Sequence, residues 1–464
     1  MKASRAVLLL ALALLAIAAL RDFARLGEAL PWHQLYDFAD FYCAGAVLDQ
    51  GADPYRYEPL HRCEHAVNAS AAYRADPRRV VPAPLPPYDF PPFMLAARLR
   101  FPTARTIDAA AILLAVIASI CGLALVAAPP DIAGLALLLP AGYVLLNAGQ
   151  VVPFALVALV FCGLALARRR DRLAGILAAL TMIEPHLGLP VCVAMLLWVP
   201  RSRFGLAAAL LVLAGVGALL VGLTGSVEFL ARVLPAQAAA ETGYAYQYSL
   251  TYLLRMLGSA PMPALLSGDL SYAALLALGV WLGRRAAQNL ARPELMAYVP
   301  GACSVIAGPY VHMVDLSFAI PATLVLACSL HGRARNVATV ALCLLAVPWI
   351  AVWITKKLFL AALFVVAALL LRLRAGAAIS LGTFAAIAAS IYLLELVPPA
   401  PLVAATPGSF APGDLAQHAW RAYVEGLPSA SFTWFIVKVP TWMALGGMLA
   451  ACFGALRERR VPAS

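Results

Sequence analysis

Apolar stretches of about eighteen or more residues recur along this chain from end to end. Coiled as a helix, such a stretch rises about 1.5 Å per residue and matches a hydrocarbon layer about 30 Å thick. A helix also satisfies its own backbone hydrogen bonds, as a segment surrounded by lipid must. The sequence therefore predicts an all-α, polytopic transmembrane helical bundle. The composition agrees: 63% of the 464 residues are hydrophobic and 12% are charged, against roughly 25% charged in soluble domains. The formal charge of +11 does not point to nucleic acid. The basic residues sit in short clusters between apolar runs, as the positive-inside rule produces.

Those clusters set an expected topology. Lys2/Arg5, Arg168–Arg170, Arg201/Arg203, Arg284–Arg285, Arg333/Arg335, Arg372/Arg374 and Arg457/Arg459/Arg460 are assigned to the inside. Three long polar stretches then fall outside: Glu28–Tyr88, Ser226–Gly258 and Val397–Phe432. The run Ala6–Leu20 is followed by Arg21, Asp22 and Arg25 rather than a small-residue cleavage site, so a retained first helix is favoured over a signal peptide. The chain divides into a first helix (1–27), an outer loop (28–88), a core (89–330) and C-terminal helices (331–464). Twelve to fourteen spans are expected, with both termini inside.

Two segments do not fit simple crossing. Four apolar segments (about 90–101, 106–127, 132–148 and 150–167) lie between an outside loop and the inside Arg168, where an odd number is required. The first is short and opens on Pro91-Pro92, so it is expected to be a half-helix beside a cavity. Arg172 to Trp198 is about 27 residues with inside signals at both ends, where two crossings need about 40. A short hairpin with Glu184 and His186 at its apex is expected. Helices near 204–224, 262–284, 295–311, 316–331, 336–353, 357–371, 376–395 and 433–455 complete the bundle.

Ionisable groups at membrane depth are expensive and are functional hypotheses by default. Asp37 and Asp40, three residues apart, share a helix face among Phe38, Phe41 and Tyr42. A carboxylate against an aromatic wall has a raised pKa and can serve as a general base near neutrality; N-capping or plain solvation is the alternative. Glu184 and His186 are either functional or interfacial helix-end charges. Asp315 could orient His312, which when protonated can bind phosphate; a satisfied interfacial pair is the alternative. Gln150, in Asn147-Ala-Gly-Gln, is a ligand contact or interhelical glue. Cys43 and Cys63 alone lie in a polar loop; they form a disulfide if the compartment is oxidising, or remain two thiols. Asn68 opens a formal glycosylation sequon. No metal-ligand spacing, Walker motif or dinucleotide fingerprint is present, so neither metal nor nucleotide cofactor is expected.

The segment DFADFYCAGAVLDQGADPYRYEPL, from Asp37, resembles the D-F-x-x-Y-Y-x-A-x-x-x-L-x-x-G-x-D-P-Y signature of family 87 glycosyltransferases. These are GT-C membrane enzymes that include polyprenol-phosphate-mannose-dependent α-mannosyltransferases. PYDFPPF resembles the family's Y-x-Y-P-P element, NAGQVVPFALVAL its L-x-x-G-Q helix, and RLAGILAALTMIEPHLGLP its glycine-rich segment ending in Lys-Pro. YQYSLTYLLRML resembles the N-x-S stretch of a later outer loop. The resemblance covers roughly residues 1–330. It implies inverting transfer of a hexose, mannose foremost, from a polyprenyl-phosphate sugar to a membrane lipid or glycan acceptor. That reaction would occur at the periplasmic face of a bacterial inner membrane, with no cofactor beyond the lipid-linked donor.

By that alignment Asp37 takes the catalytic position and Asp40 is second. Tyr42 and Tyr88 fall in the aromatic elements as substrate contacts. The family's Lys-Pro reads Glu184-Pro185 here, so the cation that meets the donor phosphate must come from His312, His186 or Arg255. The outer loop would be an acceptor-facing lid, turned at Gly51, Asp53, Pro54 and Tyr55, with Trp32 an interfacial anchor. A transporter or flippase of a lipid-linked glycan, using Glu184, His312 and Asp315, is the alternative from another class. A catalytically inactive relative is the third.

Overall fold

The structure, a computed structural model, describes residues 2–25, 35, 37–67, 78–398, 409–427 and 431–458. Trp32, Tyr36, Asn68, Arg459 and Arg460 lie outside the described residues, as do parts of two of the outer stretches. All the elements are helical, joined locally by two isolated antiparallel bridges, Arg56–Leu415 and Gln247–His312. In chain order they are α1 (Lys2–Arg25), α2 (Phe38–Asp49), α3 (Tyr57–Val67), α4 (Phe90–Ala97), α5 (Phe101–Val126), α6 (Pro130–Leu138), α7 (Val152–Ala167), α8 (Asp171–Leu180) and α9 (Pro185–Trp198). They continue as α10 (Arg203–Glu228), α11 (Leu234–Ala240), α12 (Leu250–Met256), α13 (Pro261–Asn289), α14 (Leu295–Cys303), α15 (Ala319–Ser329) and α16 (Gly332–Leu345). The last are α17 (Trp349–Thr355), α18 (Phe359–Arg372), α19 (Ala377–Glu395), α20 (Ala416–Glu425) and α21 (Phe432–Arg457).

Among the described residues, six helices are long and apolar enough to cross a membrane, or seven if one bent pair counts as a span. This is fewer than the twelve to fourteen crossings expected, because several apolar runs are interrupted. Pro140 opens the bend of 49° that divides 132–148. The expected helix 295–311 stops at Cys303 and gives way to turns through Gly308-Pro309. Besides α1, which has 24 residues, four further apolar helices have 10–17 residues, short of the roughly 20 that a crossing takes.

The segment after Arg170 doubles back. The Cys192 thiol donates to the Ala178 carbonyl across α8 and α9. Gly175 and Gly205 let α8 meet the start of α10 so closely that any Cβ would strike the carbonyls of Ser202 and Arg172. Both ends of the segment therefore lie together, with Glu184-Pro185 at the opposite turn. α4 has eight residues and is too short to span. It packs instead on α2, where a Cβ on Gly45 would lie 2.4 Å from the Phe93 carbonyl carbon.

The described part of the stretch between α1 and α4 is a folded cap. A core of its own includes Phe38, Cys43, Leu60, Phe90 and Leu415. Cys43 and Cys63 are joined as a disulfide between α2 and α3. The Tyr55 hydroxyl donates to the Leu85 carbonyl at 2.8 Å, and Arg56 pairs with Asp53 and Glu228. A larger apolar core, with Tyr298, Trp349 and Trp353 fully buried, fills the bundle.

Candidate functional site

A cavity of about 300 Å³ lies between the cap, the hairpin turn and the segments around Glu241 and His312. That volume is at the lower end of small-molecule sites. Of the expected residues, Asp37, Asp40, Gln150, Glu184, His186 and His312 line it.

Asp37 sits at the N-cap position of α2, yet its side chain makes no capping hydrogen bond. Its backbone N–H donates to the Ala148 carbonyl at 2.8 Å. Gly149, at φ +72°, reverses the chain there, and the next residue, Gln150, donates its amide N–H to the Asp37 carboxylate. The capping alternative is thus not the role this carboxylate takes. Burial raises its pKa above the ordinary carboxylate value; the Gln150 hydrogen bond and the charges of His312 and Arg79 act in the opposite direction. Asp40, one turn on, is buried and also lines the cavity.

The facing wall is built from a backbone bridge. Tyr248 N–H donates to the Val311 carbonyl at 2.7 Å, and Val311 N–H donates to Gln247 Oε1 at 2.8 Å. That second bond fixes the amide orientation, so Gln247 Nε2 is the donor toward His312 Nε2 at 2.7 Å. The same amide reaches Glu241 Oε2 at 3.3 Å. Glu241 is buried and accepts also from Trp420 Nε1 and from Gln237 Nε2 at 3.1 Å. Its Oε2 lies 3.6 Å from His312 Nε2.

His186 lies between two acids, with Nε2 3.3 Å from Asp315 Oδ2 and Nδ1 3.6 Å from Glu184 Oε2. The Tyr310 ring separates the two histidines, 5.3 Å from His186 and 4.5 Å from His312 between centroids. The expected pairing of Asp315 with the His312 imidazole is corrected. Asp315 opens a turn of 3-10 helix, so its carboxylate accepts the His312 backbone N–H at 2.6 Å and faces the His186 ring instead. Asp315 is buried behind the cavity rather than on its surface.

Three other expected contacts also stand outside the lining. The Tyr42 hydroxyl donates to the Leu99 carbonyl at 2.9 Å, with its ring against Phe38 and Phe101. The Tyr88 hydroxyl donates to the Met182 carbonyl at 2.7 Å, tying the cap to the hairpin turn. Arg255 donates to the Ser259 carbonyl at 2.6 Å, where it closes the end of α12. Residues the sequence reading passed over take their places. Glu241, Tyr244, Tyr310 and Trp420 line the cavity, and Arg79 lies over the Tyr423 ring at 4.4 Å, close enough for its charge to act on Asp37. Glu241 carries the same signal as Asp37, an acid beside tyrosines in an outer polar stretch. Tyr244 lies 5.4 Å from Trp420 and 5.8 Å from His312, giving that wall an aromatic face.

Among the described residues no group of three His, Cys, Asp or Glu side chains is arranged to hold a metal ion. The chain matches no protein-family model, no curated protein and no solved structure.

Proposed function

We propose that this cavity is the active site of a GT-C-type membrane glycosyltransferase that moves a hexose from a polyprenyl phosphate to an acceptor hydroxyl. The observation that carries the reading is the Asp37 carboxylate, withheld from its helix cap and held by Gln150 at the cavity wall. The resemblance of the Asp37 segment to the family 87 signature gives the donor class, with mannose the first sugar to try.

In this mechanism the acceptor oxygen attacks the anomeric carbon while the carbon–oxygen bond to the donor phosphate breaks. The hydroxyl proton passes to Asp37, and polyprenyl phosphate leaves with the bonding electrons. A single displacement inverts the anomeric centre, so one carboxylate base suffices. The departing phosphate needs cationic or hydrogen-bonding stabilisation rather than a strong acid. His312, at the cavity surface, supplies it, and Arg79, outside the lining but near enough for its charge to act on Asp37, adds positive potential from behind. Tyr244, Tyr310 and Trp420 give the sugar ring flat partners. α10 exposes Phe204, Leu211, Leu219 and Leu223 along its outer face, and the α11 residue Leu234 lines the cavity. A lipid-borne donor thus has a continuous apolar approach.

The test is transfer from radiolabelled polyprenyl-phosphate hexoses in membranes carrying Asp37→Asn. The expected loss is about 10²–10⁴-fold, with expression unchanged and a smaller loss for Asp40→Asn. Burial disfavours the Asp37 charge, so the asparagine variant should melt no lower than the parent at neutral pH. Full transfer by Asp37→Asn would overturn the assignment. Passage of the donor across the membrane with its sugar–phosphate bond intact would replace it with the flippase reading.

A further inference from the structure

The foot of the α8–α9 hairpin, remote from its turn at Glu184, holds a second concavity of about 690 Å³. Arg169, Arg170, Arg172 and Arg201 line it, with Asp171 the one acid and Phe204 at its edge. We propose that this is a binding site for the phosphate headgroup of an anionic phospholipid.

Several arginines elsewhere in the protein have partners. Arg292 pairs with Glu294, Arg372 with Asp131, and Arg335 donates to the Leu373 carbonyl. Arg203 donates to the Leu196 carbonyl at 2.8 Å, and Arg284 lies over the Trp198 ring at 4.0 Å. Among the described residues none of the four pocket arginines has an ion pair with a carboxylate. Four like charges around one hollow repel one another, and the single Asp171 does not neutralise them. An anion in the hollow relieves that repulsion, and guanidinium forks match phosphate oxygens in pairs. Arg169, at φ +55°, ends α7 as a left-handed C-cap, with Arg170 N–H donating to the Ala165 carbonyl at 2.8 Å, and this turn places Arg169, Arg170 and Arg172 together at the foot.

A lipid fits better than a free anion because of what adjoins the hollow. Phe204 is 76% exposed, and Leu211, Val212 and Leu219 continue the exposed apolar face up α10. A headgroup seated among the arginines would lay its acyl chains along that face. The close contacts at Gly175 and Gly205 join this foot to α8 and α10. A bound lipid would therefore brace the hairpin that carries Glu184 and His186 at its other end.

The test uses the full-length protein in phosphatidylcholine vesicles titrated with phosphatidylglycerol, read by thermal midpoint and by native mass spectrometry of retained lipid. Phosphatidylglycerol should raise the midpoint saturably and remain bound. Replacing the arginines by glutamine should weaken retention about fivefold for each one removed. The four-lysine variant keeps the charges that guide insertion but lacks the guanidinium forks, and it too should lose most of the retention. Arg333→Gln/Arg374→Gln, remote from the hollow, should lose none. Full retention by the lysine variant, or equal losses in the remote pair, would reduce the effect to general charge and overturn the proposal. An equal midpoint shift with inorganic phosphate in lipid-free detergent would overturn it in favour of a soluble anion.

Discussion

His186 and His312 stand on opposite sides of the Tyr310 ring, and each has a carboxylate oxygen 3.6 Å from one ring nitrogen. There the likeness ends. His186 has Asp315 at its second nitrogen, and its backbone carbonyl accepts the Tyr272 hydroxyl at 2.6 Å. Both ring nitrogens thus face a carboxylate, with Glu184 and His186 at the cavity wall and Asp315 buried behind it. His312 receives one N–H from Gln247 at Nε2, and Nδ1 makes no hydrogen bond among the described residues. A buried polar group whose partners are complete holds structure together, whereas one with unused capacity can meet a ligand. On the proposed function, two histidines lining one cavity thus have different work: His186 would keep the hairpin turn in place, and His312 would be left to engage the donor phosphate.

The contrast can be broken by substitution. His312→Ala should cut transfer about 10²–10³-fold, the cost of removing one preorganised group at a developing charge, while the melting temperature in detergent barely moves. His186→Ala should do the reverse. Taking one partner from a buried ionic set costs about 3 kcal/mol, read in chemical denaturation, because Asp315 and Glu184 would face each other without the ring between them. Transfer per folded molecule should fall far less than for His312→Ala; if the two variants lose rate and stability alike, the distinction is wrong. A finer effect belongs to Gln150→Leu. Its N–H favours the charged form of Asp37, so its removal raises the Asp37 pKa further. The base must be ionised to act, and the acid limb of the rate–pH profile should therefore move to higher pH. A limb that stays put would separate Gln150 from the base.

Much of this arrangement was legible in the sequence. Length and apolarity located α5, α10, α13, α19 and α21 to within a few residues, since a lipid-facing run carries its own signal. Basic residues at both ends of a short segment disclosed the hairpin, and with it the inward position of Glu184 and His186. What escaped depends on contacts between distant parts of the chain. Arg79 and Trp420 belong to separate outer stretches, and only the docking of α20 on the cap brings them together. The spacing of His312 and Asp315 suggested a pair, but the turn after Val314 redirected the carboxylate to another helix. The long unbroken helices among the described residues are fewer than the apolar runs because a run looks the same in sequence whether or not a proline or glycine divides it.

The helical run from Pro200 to Ala240, kinked at Gly222 (φ +74°), contains 41 residues. Unbent, it would measure roughly 60 Å, about twice the thickness of the hydrocarbon it borders. Its exposed apolar side chains extend from Phe204 to Leu230, and the turns beyond them wall the cavity. On the proposed function the run would work as a measuring rod: with its lower part immersed, its upper turns would stand among the lipid headgroups. A donor reacting there would keep its isoprenoid tail dissolved below and lift only phosphate and sugar to the working level. Turnover would then respond to the chemistry of the head and scarcely to the number of isoprene units beneath it.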